Sequence, residues 1–255
     1  VTRYAVYALP GALGDADAPA AVRLRDAVET WYAREEFRDL TVDPRRYGFH
    51  ATLKAPFRLA EGRTHAQLRA AADAFAAQRR PVTIAAPRPA TLGRFRALVP
   101  HGDHADLDAL AADAVRAFDA FRAAPTDAEI RRRRPERLSA RQRELFERWG
   151  YPFVLDEFRF HMTLTDPVPA ERAAEVDAAL EARFDDIAGV DVPLLSIALF
   201  VEPEPGAPFR IHSVHPFSVH PNPPHPNPLH PNPLHPNPLH PNPLHPSAPA
   251  QESTT

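Results

Sequence analysis

The 255-residue sequence contains no cysteine, which removes disulfides, thiolate nucleophiles and cysteine-type zinc sites together. A reducing compartment is compatible with that absence. There is no run of about 18 apolar residues of the kind that crosses a bilayer. The opening stretch, VTRYAVYALPGALGDADAPA, lacks the charged and then apolar pattern of a secretion signal. The reading is a soluble, cytoplasmic protein with no membrane partner. Neither sign of charge dominates: 30 Lys+Arg against 33 Asp+Glu leaves no broad basic field to draw the chain onto nucleic acid. RNA is therefore not favoured as a partner, and any anion binding must come from a local patch.

Proline is unevenly placed. From His220 onward the chain repeats His-Pro-Asn-Pro-Leu with a period of five. Prolines this dense remove backbone donors and fix φ, so residues 218–255 are expected to form a disordered or polyproline-like tail. The foldable part is residues 1–217, enough for one mid-sized domain or two lobes sharing a core. The tail's histidines allow a metal-binding reading, but a low-complexity extension with no selected role is the simpler one.

Strand and helix patterns alternate through residues 1–217. Arg3 to Leu9 reads as a strand and Ala20 to Tyr32 as a helix. Capping boxes at Thr64–Gln67, Thr126–Glu129 and Ser139–Gln142 announce three further helices, the last ending at Gly150. Ala105 to Phe121 has the 3.6-residue apolar period, and Pro169 reads as the first position of a helix reaching Phe184. Strand candidates are Val82 to Ala86, Leu92 to Val99, Val192 to Val201 and Phe209 to Val214.

Two segments stand out, RYGFHATLKAPF and EFRFHMTLTDPV. Each contains His-x-Thr-Leu preceded by an aromatic, and each is followed by a proline, a helix and two strands. The two histidines, His50 and His161, lie 111 residues apart. A divergent internal duplication with approximate twofold symmetry would produce this order. The fold expected is α+β: two similar lobes, antiparallel-rich sheets flanked by helices, and a central cleft.

In a strand, residues i and i+2 share a face. Phe49, Ala51 and Leu53 then form an apolar face opposite His50, Thr52 and Lys54. In the second segment Phe160, Met162 and Leu164 oppose Arg159, His161, Thr163 and Thr165. His-x-[ST] is weak alone, since His245-Pro246-Ser247 in the tail also matches it. The same residue types in the same phase, twice, are more specific.

HATL and HMTL resemble the paired His-x-Thr signature of the two-histidine (2H) phosphoesterase superfamily. The longer strings RYAVYALP, RRYGFHATLKAPFRL, RWGYPFVLDEFRFHMTLT and LFVEPEPGAPFR resemble one branch of it, uncharacterised proteins encoded beside phosphonate-utilisation genes. The resemblance implies signature strands facing each other across a cleft, with His50 and His161 as general acid and base and Thr52 and Thr163 holding phosphate.

The chemistry agrees with that inventory. In-line displacement at phosphorus needs acid and base on opposite sides of the phosphate, and imidazole titrates near neutrality. Lys54, if on the cleft face, would add positive charge. The expected activity is opening of a cyclic phosphodiester with no cofactor and no metal. The substrate would be a small phosphorylated compound such as a ribosyl or nucleoside cyclic phosphate. A two-metal mechanism would need clustered carboxylates, and only Asp156, Glu157 and Asp166 lie nearby. His101, Asp103 and His104 form only a superficially metal-like turn. Arg131 to Arg134 read as a solvated helix face, and Tyr47 and Arg96 are cleft candidates that need no function as packing or surface residues. The rivals are a non-catalytic phosphate or RNA-end binding module and a metal-binding protein working through the tail.

Overall fold

A computed structural model of the chain describes residues 1–218. The expected tail lies outside the described residues apart from its first residue. The elements run β1 (Arg3–Ala8), α1 (Pro19–Tyr32), α2 (Val42–Tyr47), β2 (Ala51–Phe57), α3 (His65–Ala77), β3 (Val82–Ile84), β4 (Arg88–Leu92), β5 (Phe95–Val99), α4 (Ala105–Phe118), α5 (Asp127–Arg133), α6 (Ala140–Trp149), β6 (Met162–Thr163), α7 (Ala173–Phe184), β7 (Val192–Leu194), β8 (Ser196–Glu202) and β9 (Arg210–Pro216). This is a mixed helical and antiparallel-sheet fold, as the sequence pattern implies.

All three capping boxes form, at Thr64, Thr126 and Ser139. Gly150 closes α6 at φ 75°, where a Cβ would stand 2.9 Å from the Arg122 guanidinium. Only glycine fits that turn without displacing Arg122. Pro169 does not open α7. Its extended ψ of 146° precedes a short 3-10 turn at Ala170–Arg172, and α7 follows. The segment read as one strand from Leu92 to Val99 is the far half of a hairpin that turns at Gly93.

Seven strands make one sheet in the order β4-β5-β6-β2-β1-β8-β9, and β3 pairs with β7 in a second, two-stranded sheet. Every pairing is antiparallel. Exchanging β1 with β5, β2 with β6, β3 with β7 and β4 with β8 maps this network onto itself, with β9 left over. β1–β2 matches β5–β6, β1–β8 matches β5–β4, and β2–β6 and β3–β7 map onto themselves. The repeat thus begins one strand before each His-x-Thr segment and ends one strand earlier than the sequence order implies. β4 completes the half that holds β6, and β8 the half that holds β2. Sequence order alone does not reveal such non-local pairing.

The helices cover the sheet with a core built around Trp31, Phe37, Leu53, Phe118, Met162 and Phe184. Among the described residues no helix is long and apolar enough to cross a membrane.

Candidate active site

At the centre of the sheet β2 meets β6, with Ala51 directly opposite Met162. Continuing that antiparallel register one residue either way puts His50 opposite Thr163 and Thr52 opposite His161. Opposed positions in such a pair lie about 4.5–5.5 Å apart and diagonal ones about 7–8 Å apart. The two histidines therefore sit on one diagonal of a four-residue patch and the two threonines on the other. Behind them Ala51, Leu53, Met162 and Leu164 are all buried, so the alternation has the expected phase. One cavity of about 270 Å³ is lined by all four of His50, Thr52, His161 and Thr163.

The two histidines are held alike. His50 Nδ1 donates to the Gly48 carbonyl at 2.8 Å, and His161 Nδ1 donates to the Arg159 carbonyl at 2.8 Å. That contact fixes the Nδ1–H tautomer and leaves each Nε2 free to exchange a proton. His104 makes the same contact with Gly102 in a surface turn, so the hydrogen bond orients a ring but does not mark a site.

Gly48 ends α2 at φ 75°, the left-handed side that glycine tolerates, and so aims its carbonyl at His50. The His50 ring stacks on Tyr7 with centroids 3.9 Å apart. Burial above all pushes His50 down to about 4, with His161 adding to the shift and the Gly48 carbonyl opposing it. Burial also lowers His161, against the pull of its own carbonyl partner. Both shifts favour the neutral imidazole at pH 7.

Helix α1 holds the short second strand in place. Trp31 Nε1 donates to the Leu164 carbonyl at 2.9 Å, and the Tyr32 hydroxyl donates to the Thr163 carbonyl at 2.6 Å. Asp166, three residues past Thr163, accepts the backbone N–H of Val42 at 2.8 Å at the start of α2. The segment after the second motif thus supports the helix that leads into the first.

Two predicted members of the face are elsewhere. Lys54 is buried, with Nζ 2.9 Å from Asp119 Oδ1 and 3.2 Å from the Val115 carbonyl. The register moves from Tyr7↔Thr52 to Val6↔Lys54, so β2 carries one extra residue there. This bulge reverses the alternation, turns Lys54 toward α4 and brings Ala55 to the cavity. Lys54 therefore does not bind phosphate in the cleft. Thr165 is also buried, its hydroxyl accepting the Arg96 N–H at 2.9 Å, because β6 ends at Thr163. Arg96 is committed to Asp177, while Tyr47 lines the cavity.

The sequence reading missed Tyr7, Tyr151 and Arg133, which also line the cavity. Tyr7 follows from the alternation of β1, but nothing in the arginine run at 131–134 distinguishes Arg133 from its neighbours. An adjoining cavity of about 430 Å³ shares Thr52, Ala55, Tyr151 and His161 and is walled by Phe95, Phe153 and Phe158, with Arg159 at its edge. Among the described residues no group of three His, Cys, Asp or Glu is placed to hold a metal.

Paired imidazoles and hydroxyls on one concave face can exchange protons on either side of a tetrahedral anion while donating to its oxygens. Two solved structures are similar to this chain. One is titled "Crystal structure of phosphoesterase" and the other is E. coli LigT complexed with 3'-AMP. Each is 12% identical to the chain and covers 85% of it and 98% of its own length, with TM-scores of 0.40 and 0.41.

Residues 52–210 match the family described as "Protein of unknown function (DUF1045)", and the chain belongs to that family. Curated relatives include two proteins named ribose 1,5-bisphosphate phosphokinase PhnN. The one from Janthinobacterium sp. (strain Marseille) is 41% identical over 183 residues, covering 70% of this chain and 40% of the relative. The one from Laribacter hongkongensis (strain HLHK9) is 38% identical over 228 residues, covering 82% and 50%. The chain thus spans half or less of the length of these relatives.

Proposed function

We propose that the protein is a metal-independent phosphoesterase that opens a cyclic phosphodiester by histidine–histidine acid–base catalysis, with a role in phosphonate metabolism. The observation that carries this reading is the diagonal placement of His50 and His161, with Thr52 and Thr163 between them, around one cavity. His50, held neutral by burial, takes the proton from attacking water. His161 protonates the leaving oxygen. It gains that proton when an anionic substrate binds, because a nearby negative charge favours imidazolium. The threonine hydroxyls donate to the non-bridging oxygens, whose charge grows as the bond to the leaving oxygen breaks.

The relatives' name supports a sugar-phosphate substrate. A P-loop phosphokinase needs a Gly-Lys-Ser/Thr turn to cradle its nucleotide. The only lysine in this chain is Lys54, which follows Leu53 and is ion-paired inside the fold. We therefore assign the kinase chemistry in that name to the part of the relatives that this chain does not cover. The reading is tested by incubating the protein, with a chelator present, with ribosyl 1,2-cyclic and nucleoside 2′,3′-cyclic phosphates. The His50→Ala protein serves as the blank. Ring opening by wild type alone supports the assignment, and no opening of any cyclic phosphate favours the non-catalytic binding module.

A further inference from the structure

Arg133 ends α5, a short helix fixed along its whole length. The Thr126 capping box closes its start. Glu129 in its first turn is gripped by Arg58, just past the end of β2, with Nη2 3.1 Å from Oε2. At its end Arg134 turns left-handed, φ 49° and ψ 62°, and Pro135 follows. That conformation costs a non-glycine residue roughly 1–2 kcal/mol, so the surroundings must hold it. The result is that Arg133 is delivered to the wall of the cavity containing His50 and His161.

Several of the neighbouring cations are already ion-paired. Lys54 is tied to Asp119. A small recess of about 40 Å³ next to the cavity is lined by Arg3, Arg58, Arg122, Arg132 and Arg133. Of these, Arg3 is bound to Glu202, Arg58 to Glu129 and Arg122 to Asp119. Arg133 instead lies over an aromatic ring, its guanidinium carbon 4.8 Å from the centroid of Tyr151. The contact holds the guanidinium in place, and a hydrogen bond to the Tyr151 side chain takes part of its N–H fork, leaving the rest without an ion-pair partner among the described residues. The His/Thr patch accounts for one phosphate, and Arg133 adds positive charge to the lining of the same cavity.

We infer that Arg133 anchors a second anion subsite, which takes a phosphate monoester distal to the reacting diester. This rests on the function proposed above and narrows its substrate to a sugar cyclic phosphate that carries another phosphate. The member of that class that fits the relatives' name is the 1,2-cyclic phosphate of ribose 5-phosphate. Water adds to its cyclic phosphorus, forming one P–O bond. The bond from phosphorus to the C2 oxygen breaks, and that oxygen leaves with a proton. The product is ribose 1,5-bisphosphate, the compound in the relatives' name, so this reaction would supply the substrate named there.

The test compares wild type, Arg133→Gln, Arg133→Lys and, as a control, Arg131→Gln, an exposed neighbour on the same helix that lines none of these cavities. Substrates are ribose 1,2-cyclic phosphate with and without the 5-phosphate, and binding of ribose 5-phosphate is measured by calorimetry. A charge-assisted contact corresponds to a change of about 10- to 100-fold. Wild type should favour the 5-phosphorylated substrate by that factor in kcat/KM. Arg133→Gln should lose the preference while keeping the rate on the unphosphorylated one, and should lose ribose 5-phosphate affinity to a similar degree. Arg133→Lys should recover part of it, and Arg131→Gln should change neither. Equal loss on both substrates, unchanged ribose 5-phosphate binding in Arg133→Gln, or the loss appearing in Arg131→Gln would overturn the subsite. If no protein turns over either substrate yet Arg133→Gln still loses ribose 5-phosphate binding, the phosphoesterase reading falls and the anion subsite stands.

Discussion

Ala51 of β2 lies directly across from Met162 of β6, and the site follows from that pairing. Because the strands run antiparallel, each histidine faces the threonine of the other half. Both imidazoles reach one cavity from the residue that immediately precedes each strand. A one-residue slip of either segment would turn its own histidine and threonine into the core.

Lys54 tests whether charge on the adjacent stretch of β2 matters to the cavity. Lys54→Met should lower stability by about 1–3 kcal/mol, less than for an isolated buried pair, since Asp119 keeps Arg122. Denaturation should report that loss while kcat/KM on a cyclic phosphate stays unchanged. A large fall in kcat/KM with the fold intact would return Lys54 to the phosphate site.

The alternation of apolar and polar residues was enough to place His50, Thr52, His161 and Thr163 on one face, and the capping boxes marked three helix starts. Lys54 was misread because a bulge at Leu53 resets a period that sequence alone takes as continuous. Thr165 was misread because β6 is only two residues long and its neighbours, not its own pattern, end it. Arg133 was illegible because a run of arginines on a helix looks solvated. Its place in the cavity is set by a capping box, an ion pair to Arg58 and the ring of Tyr151, which meet only in three dimensions.

The pH dependence carries a definite sign. With His50 lowered to about 4 and His161 lowered from its ordinary value of 6.5, kcat/KM should be bell-shaped with its maximum below pH 6.5. It falls on the acid side as His50 gains a proton and on the basic side as free His161 loses one. Stability changes in the same region. The unfolded chain binds a proton at His50 near 6.5 and the folded chain only near 4. That contribution is whole above 6.5 and is lost as pH falls toward 4, by up to about 1.4 kcal/mol per pH unit. His50→Gln should flatten this slope. Glu129, held near 2 by Arg58 and its capping contacts despite burial, acts only at lower pH and does not mask it. An unchanged slope in His50→Gln, or a kcat/KM maximum well above pH 7, would contradict the assignment.

A second histidine network should be purely structural. His215 of β9 is buried, with Nδ1 2.6 Å from Asp73 of α3 and Nε2 2.8 Å from Ser213 Oγ. The order Ser-His-Asp matches that of a nucleophile and its base, but these residues line neither of the two cavities. They join the edge strand to the helix packed on it. Replacing Asp73 with alanine should cost about 1–3 kcal/mol by leaving the Nδ1 of a buried imidazole without its partner, speed amide exchange in β9 and leave turnover intact. Loss of turnover with the exchange pattern unchanged would point to chemistry at Ser213.

The most direct measurement is kcat/KM for cyclic-phosphate opening, with chelator present, in wild type, His50→Ala, His161→Ala and the double variant. Groups acting as general acid and base typically contribute about 10²- to 10⁴-fold each, and partners in one step are not additive. Each single variant should fall by roughly that factor, the double should be little worse, and the chelator should have no effect. Wild-type rates in either single variant, or activity abolished by the chelator and restored by zinc or manganese, would contradict the two-histidine account.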